Sequence, residues 1–207
     1  MFAPMPVPPG DLYDEHAAAF DDATALADLP EAFHALLESF VAELAGPAVL
    51  DAGCGPGRDA AYFHERGLDP VGVDVADGML ERARETRPGR YAKMDVRALA
   101  FADGCFDGVW CPASIFFVPP PGMADALAEF VRVLRPGGVA RIGFKLGAGR
   151  VDVEKWGATT VEYHVTEQRA RALLEAAGFD VASVSVTDVG PERTFANFDC
   201  RLGTDGQ

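Results

Sequence analysis

The run Val49-Leu50-Asp51-Ala52-Gly53-Cys54-Gly55-Pro56-Gly57-Arg58 constrains this chain more than any other segment. An apolar stretch of strand character stops at a glycine cluster, and the helical pattern of RDAAYFHERG follows at once. In doubly wound α/β sheets, ligands bind where such a strand hands over to its helix. Glycines let backbone approach a ligand closely there, and the helix N-terminus offers free N–H groups and positive potential.

The rest of the chain repeats the alternation. PVGVDV, RYAKMDV, FDGVWCP and VARIGFKLG read as further strands. ADGMLERARE reads as a helix with Asp77 as N-cap, and MADALAEFVRVL as one stopped by Arg135-Pro136-Gly137-Gly138. TEQRARALLEAAGF opens on Thr166 and closes at Gly178. VASVSVTDV and TFANFDCRL flank Gly190-Pro191 as a hairpin, so the sheet should finish with an antiparallel edge. Upstream, Asp11 to about Ala27 has helical spacing, with Tyr13, Ala17 and Phe20 on one face. Pro30 opens a second helix carrying Phe33, Leu36, Leu37, Phe40 and Leu44, ended by Gly46-Pro47. The expected fold is α/β, a doubly wound and mostly parallel sheet preceded by N-terminal helices. A chain of 207 residues, 49% of them apolar, suits one domain, read here over 11–202. The proline-rich residues 1–10 and the last five, 203–207, are expected to be flexible tails.

The formal net charge of -14 argues against nucleic acid and anionic membranes as partners, and no Lys/Arg run offsets it. Small or cationic ligands fit better. Cys54, Cys105, Cys111 and Cys200 lie far apart without a CxxC pair, so neither a metal site nor a disulfide framework is expected. With no signal-peptide pattern and no apolar run approaching a membrane span, the expected location is cytoplasmic. Monomer and homodimer remain equally open.

Two details of the glycine loop narrow its ligand. The dinucleotide fingerprint wants glycine or alanine where Arg58 stands. Asp51, two residues before the first glycine, would repel a bound pyrophosphate by about 1 to 4 kcal/mol at 4 Å. Beside an ammonium the same carboxylate attracts. The loop therefore suits a nucleoside with a zwitterionic tail, its carboxylate toward the helix N-terminus and Arg58 and its amine toward Asp51. Asp74 ends the second strand about twenty residues after Gly53, where an acid holds both ribose hydroxyls of an adenosine cofactor; a helix N-cap is the other reading. Asp95, with the Val96 amide, can recognise an adenine amino group or cap a turn. Met79 can pack on adenine or fill the core.

VLDAGCGPGRDA, VGVDVADGMLERAR, MDVRALAFADGCFDGVWC and RVLRPGGVARIGF, in that order and spacing, resemble a class I S-adenosylmethionine-dependent methyltransferase. They are most similar to the small bacterial group related to the ubiquinone and menaquinone methyltransferases. The resemblance covers about Tyr13 to Leu202 and implies a Rossmann-like, seven-stranded sheet whose last strand inserts antiparallel. It implies that Asp51, Ala52, Gly53, Gly55, Gly57 and Arg58 surround the methionine part. Asp74 and Val75 would hold the ribose, and Met79, Asp95 and Val96 the adenine. The segment from Trp110 to Ser114, with Cys111 in it, would lie by the reacting methyl, and Tyr13 would cover the cofactor. The implied reaction is methyl transfer from S-adenosylmethionine to a small-molecule acceptor, O- or N-directed, leaving S-adenosylhomocysteine.

The chain departs from that pattern at two places. Many relatives carry histidine after the fourth strand, where this chain has Phe117, an aromatic wall for substrate or a core residue. The Asn/Asp-Pro-Pro-aromatic signature of nucleic-acid amino methyltransferases is replaced by Cys111-Pro112-Ala113-Ser114. Residues 145–164, containing Gly147, Gly149, Trp156, Glu162, Tyr163 and His164, read as a substrate-facing loop, with Trp156 and Tyr163 toward the acceptor. His164 is the best available general base, although a histidine just before a helix also serves as a surface or capping residue. Glu15 and His16 are further candidates. Two alternatives stand beside methyl transfer: a non-catalytic S-adenosylmethionine-binding module, and an NAD-dependent oxidoreductase, which Asp51 and Arg58 disfavour.

Overall fold

The computed structural model describes residues 6–188 and 194–204. Seven strands form the main sheet: β1 (Ala48–Ala52), β2 (Asp69–Asp74), β3 (Arg90–Lys93), β4 (Phe106–Cys111), β5 (Leu134–Leu146), β8 (Phe179–Asp188) and β9 (Thr194–Leu202). Their order is β3-β2-β1-β4-β5-β9-β8. β1 to β5 run parallel, and β9 pairs antiparallel with both β5 and β8. This is the mostly parallel, Rossmann-like sheet with an inserted antiparallel last strand. The sheet finishes, as expected, on the antiparallel pair β8–β9; β9 is internal, and the edge strand β8 shares the direction of β5. The Gly190-Pro191 connection between them lies outside the described residues.

Strand pleating sends alternate residues to opposite helical layers. From β1 and β4, Val49 and Trp110 pack with Leu37 and Phe40 of α3 (Glu31–Glu43) and with Tyr62 and Phe63 of α4 (Arg58–Glu65). Their neighbours Leu50, Val109 and Cys111 join the cluster containing Met123, Leu127 and Phe130 of α6 (Pro120–Val133) and Leu174 of α7 (Glu167–Ala177). β4 is buried along its whole length, as a central parallel strand should be. Arg135-Pro136-Gly137-Gly138 ends α6 but lies inside β5, where the register against β4 shifts at a Gly137 of φ 77°.

Three N-terminal features differ from the sequence reading. The single helix expected from Asp11 is two, α1 (Pro9–Glu15) and α2 (Ala17–Ala23), broken at His16, whose Nδ1 lies 2.9 Å from the Leu12 carbonyl oxygen. Residues 6–10 are docked rather than loose: the Val7 amide donates to the Thr159 carbonyl (2.8 Å), and Thr160 Oγ1 donates to the Val7 carbonyl (3.1 Å). Asp77 is the first residue of α5 (Asp77–Thr86), not its cap; its carboxylate pairs with Lys93. The open N–H groups of α5 are met by other acids, with Ala76 N–H donating to Asp74 Oδ1 (2.9 Å) and Gly78 N–H to Asp14 Oδ1 of α1 (2.8 Å).

The stretch read as a loop over 145–164 is mostly a β-hairpin, β6 (Gly149–Lys155) and β7 (Ala158–His164), outside the main sheet. Trp156 (φ 50°) and Gly157 (φ 79°) form its two-residue turn, and two successive left-handed residues match strand twist in that turn class. Trp156 carries the strain of a left-handed φ and stacks flat on His16 at 4.6 Å between ring centroids. No helix among the described residues is long and apolar enough to cross a membrane.

Candidate active site

The C-terminal ends of β1, β2 and β4 open into a cavity of about 260 Å³. The glycine loop supplies Asp51, Gly53, Gly55 and Arg58 to its wall; Asp74 and Val75 come from the end of β2, and Met79 from α5. Asp95 and Val96 border it after β3, residues 112–114 after β4, and Tyr13 and Phe20 cover it from the N-terminal helices. Four carboxylates (Asp51, Asp59, Asp74, Asp95) face two guanidiniums (Arg58, Arg97) around this space. That excess favours a ligand of net positive charge.

Asp51 is only 2% exposed, and its Oδ2 has no hydrogen-bond partner among the described residues. Burial pushes the Asp51 carboxyl well above the usual range, and the Asp59 charge adds to this against the opposing Arg58 guanidinium. Asp59 is held by Arg58 Nε (2.7 Å) and by the indole N–H of Trp110 (2.8 Å). Arg58 is therefore already engaged in an ion pair, and its guanidinium also lies 4.9 Å from the Phe33 ring centroid.

Asp74 accepts the Gly55 amide at Oδ2 (2.8 Å) and the Ala76 amide at Oδ1 (2.9 Å). Burial raises its pKa, and these backbone bonds pull the other way. The carboxylate thus ties the glycine loop to β2 while bordering the cavity. Asp95 likewise caps its turn through the Arg97 amide and pairs with the Arg97 guanidinium, which lowers its pKa. Val75, 45% exposed, and Met79 offer apolar surface on the same side.

Three residues assigned to the cofactor by resemblance do not line the cavity. Ala52 is buried behind the loop, its carbonyl accepting from Ser114 Oγ (2.9 Å). Gly57 is needed for packing: at φ 80°, a Cβ there would stand 2.6 Å from the Tyr91 hydroxyl. Cys111 points into the core, with its Sγ 3.1 Å from Ser114 Oγ, and burial pushes its thiol up to about 11. The residues reached after β4 are instead Pro112, Ala113 and Ser114.

A second cavity, of about 300 Å³, adjoins the first; Tyr13, Phe20, Ala113 and Phe117 line both. Its far wall carries Phe116, Phe195, Lys145 and Glu162. Lys145 Nζ bonds Glu162 Oε1 at 2.5 Å, and Glu162 Oε2 lies 3.1 Å from His164 Nε2. Tyr13 stands between the two spaces, and its hydroxyl is raised by burial, then by the Glu162 charge and the Asp74 charge. Lys155 Nζ donates to the Tyr13 hydroxyl (2.8 Å) and sits 4.6, 5.0 and 4.4 Å from the ring centroids of Tyr13, Phe20 and Trp156. This cage pins the hairpin to the N-terminal helices.

Phe117 faces both cavities, whereas His164, Trp156 and Tyr163 line neither and their acceptor-side assignments need correction. His164 lines neither cavity and stands behind Glu162, which presents the carboxylate. Trp156 closes the outer side of the Lys155 cage, and Tyr163 packs against the main core. Phe116 and Phe195 are not marked by the sequence as lining, and Lys145 and Glu162 are marked only as members of the 145–164 stretch. Alternation of Thr160, Glu162 and His164 in TTVEYH was the available signal, since period two places all three on one side of a strand.

The order of the sheet, its internal antiparallel strand and a cavity at the β1–α4 glycine loop define a Rossmann-like methyltransferase fold. Residues 49–138 match the family model described as a methyltransferase domain. A malonyl-[acyl-carrier protein] O-methyltransferase of Salmonella typhimurium is 39% identical over 93 residues, covering 44% of this chain and 36% of that protein. A demethylmenaquinone methyltransferase of Renibacterium salmoninarum is 34% identical over 135 residues, covering 60% and 56% respectively. The alignments thus span between about a third and just over half of these relatives' lengths. Among solved structures, the Burkholderia thailandensis 1,6-didemethyltoxoflavin-N1-methyltransferase superposes with a TM-score of 0.70 at 23% identity, over 98% of this chain and 93% of that one. Residues 49–138 thus match a methyltransferase domain, and the chain as a whole has the Rossmann-like fold of such enzymes.

Proposed function

We propose that this chain transfers the methyl group of S-adenosylmethionine to a small-molecule acceptor, O- or N-directed, with the donor in the first cavity and the acceptor in the second. One observation carries the reading: a buried carboxylate oxygen of Asp51 lacks a partner among the described residues beside a glycine loop, where the donor's ammonium can supply one. A pyrophosphate at the same place would meet repulsion from Asp51, which argues against a dinucleotide. The donor's sulfonium and ammonium against its single carboxylate also match the excess of acidic groups around the cavity.

Asp74 would take the ribose hydroxyls on lone pairs left over from its two backbone bonds, and Val75, Met79 and Val96 would pack the adenine beside Asp95. Gly53, Gly55 and Arg58 would border the methionine part, and Tyr13 would cover the reacting methyl. The donor is already activated, so the protein's task is to align and desolvate the partners, which can be worth about 7–11 kcal/mol of barrier. The acidic chain and the small size of the second cavity favour a small acceptor over nucleic acid. Calorimetry with S-adenosylhomocysteine and with NAD tests the assignment: uptake of the first and not the second is expected, and the reverse would overturn it. Formation of S-adenosylhomocysteine from the donor with a panel of acceptors then separates an enzyme from a binding module.

A further inference from the structure

The buried ion pair on the wall of the second cavity narrows the acceptor. Lys145 and Glu162 expose only 12% and 7% of their side chains. Desolvation consumes most of the Coulombic gain of such a pair, so stability alone is a weak reason for it. It faces apolar rings: Lys145 Nζ lies 4.5 Å from the Phe116 centroid and 5.2 Å from that of Phe195, with Phe117 across the same space. Among the described residues the charged lining is balanced, Lys145 and Lys155 against Glu154 and Glu162. An anionic acceptor would meet two carboxylates there and a cationic one two ammoniums, whereas a neutral one avoids both. Each Glu162 oxygen carries one bond in the structure, to Lys145 or His164, out of about four lone-pair sites on a carboxylate. Capacity remains for an O–H donor.

We propose that the acceptor is a neutral aromatic or enolic hydroxyl compound, that Glu162 takes its proton during attack, and that Lys145 stabilises the developing oxyanion. This rests on the reading that the first cavity seats the methyl donor. In the step, the acceptor O–H bond breaks and its proton passes to a Glu162 carboxylate oxygen. The oxygen's electron pair forms the new bond to the methyl carbon. The sulfur–methyl bond breaks with its pair left on sulfur, giving a methyl ether and S-adenosylhomocysteine. His164, behind Glu162, is a positioning residue.

Three naphthalene probes of matched shape test the class: 2-naphthol (neutral), 2-naphthoate (anionic) and 2-naphthylmethylamine (cationic at neutral pH). Titrated into the S-adenosylhomocysteine complex of the full chain, 2-naphthol should bind at least about tenfold more tightly than either of the others, and with S-adenosylmethionine it should yield its methyl ether. Glu162→Gln should lower that turnover by about 100-fold or more, the scale of general-base catalysis, with S-adenosylhomocysteine affinity within about twofold. His164→Ala should lower kcat with little change in KM, and His164→Gln, which keeps a donor toward Glu162, should recover most of it; equal loss in both removes the positioning role. Failure to take up 2-naphthol, preference for a charged probe, or no ether from the unmodified protein overturns the proposal. Turnover by Glu162→Gln within about threefold does the same, and the probe preference still decides if that variant does not fold. If S-adenosylhomocysteine itself fails to bind, the donor reading falls instead.

Discussion

Replacing Asp51 by asparagine should make the protein more stable and its donor site weaker at the same time. Burial and the Asp59 charge raise the Asp51 carboxyl, so the folded protein holds this proton more tightly than the unfolded chain does. The associated stability is fully present below the unfolded carboxyl value of about 3.9 and is lost as pH rises through the raised folded value. As pH rises through that value, ionising the buried side chain costs stability while the cavity is empty. Asparagine keeps an oxygen for the Ala60 backbone bond and removes the charge. Recovering about 1 kcal/mol of that ionisation cost raises Tm by roughly 2–4 °C in a domain of this size. The advantage should fade as pH falls toward about 4. Donor binding should respond in the opposite sense, because losing a hydrogen bond between charged groups costs about 1.5–3 kcal/mol, roughly 10- to 150-fold in affinity. In the unmodified protein an arriving ammonium favours the ionised carboxylate, so binding should release a proton and tighten with rising pH by at most about tenfold per unit. Thermal melts across pH, together with calorimetry in two buffers of different ionisation enthalpy, measure both halves. An Asp51→Asn protein that melts lower at neutral pH, or that binds S-adenosylhomocysteine as tightly as the parent, would refute the reasoning.

Asp74→Ala should weaken S-adenosylhomocysteine binding by about 1.5–3 kcal/mol or more, since it also frees the Gly55 and Ala76 amides; unchanged calorimetric affinity in a folded variant would remove Asp74 from the site. Gly53→Ala should destabilise by about 1–2 kcal/mol for its left-handed φ of 78° and by about 1–3 kcal/mol more for overlap with the Ser114 side chain, read as a fall in the denaturant midpoint. Asp14→Ala removes the bond that ties α1 to the start of α5 and should cost about 1 kcal/mol in chemical denaturation. Lys155→Met empties the aromatic cage of its cation, and faster amide exchange in residues 9–15 should follow at unchanged global stability; unaltered exchange would show that the cage does not hold the helices.

Much of the parallel half of the sheet was legible because its signals are local. Short apolar runs ending at glycine or aspartate set the strands, and the glycines at 53, 55 and 57 do adopt positive φ. The antiparallel pairing of β8 with β9 was legible as a hairpin, whereas the placing of β9 against β5 is settled by contacts far apart in sequence. The β6–β7 hairpin was misread for a related reason. Gly147, Gly149 and Gly157 look like loop punctuation, yet two of them flank strands and the third completes a tight turn with Trp156. In the site, Asp51 and Asp74 stood out by spacing from the glycine loop. Lys145 and Glu162 could not, since they come from a core strand and a separate hairpin seventeen residues apart and gain meaning only when the sheet brings them together.

The two cavities share a design in which charge is buried where the empty protein has least use for it. Among the described residues Asp51 lacks a partner for one oxygen, and Glu162 is committed to a lysine and a histidine at the edge of open space. Each arrangement costs folding free energy that apolar packing at the same position would not. In the first cavity an ammonium would offset that cost on binding; in the second, only the step that removes a proton from the acceptor would draw on Glu162. Strain relieved by binding and strain used in the reaction are separable, because the first appears in affinity for S-adenosylhomocysteine alone and the second only in turnover. Asp51→Asn and Glu162→Gln should therefore divide between S-adenosylhomocysteine affinity and turnover at saturating donor, and a Glu162→Gln protein that also lost that affinity would show that the two sites are energetically coupled through the shared residues Tyr13, Phe20 and Phe117.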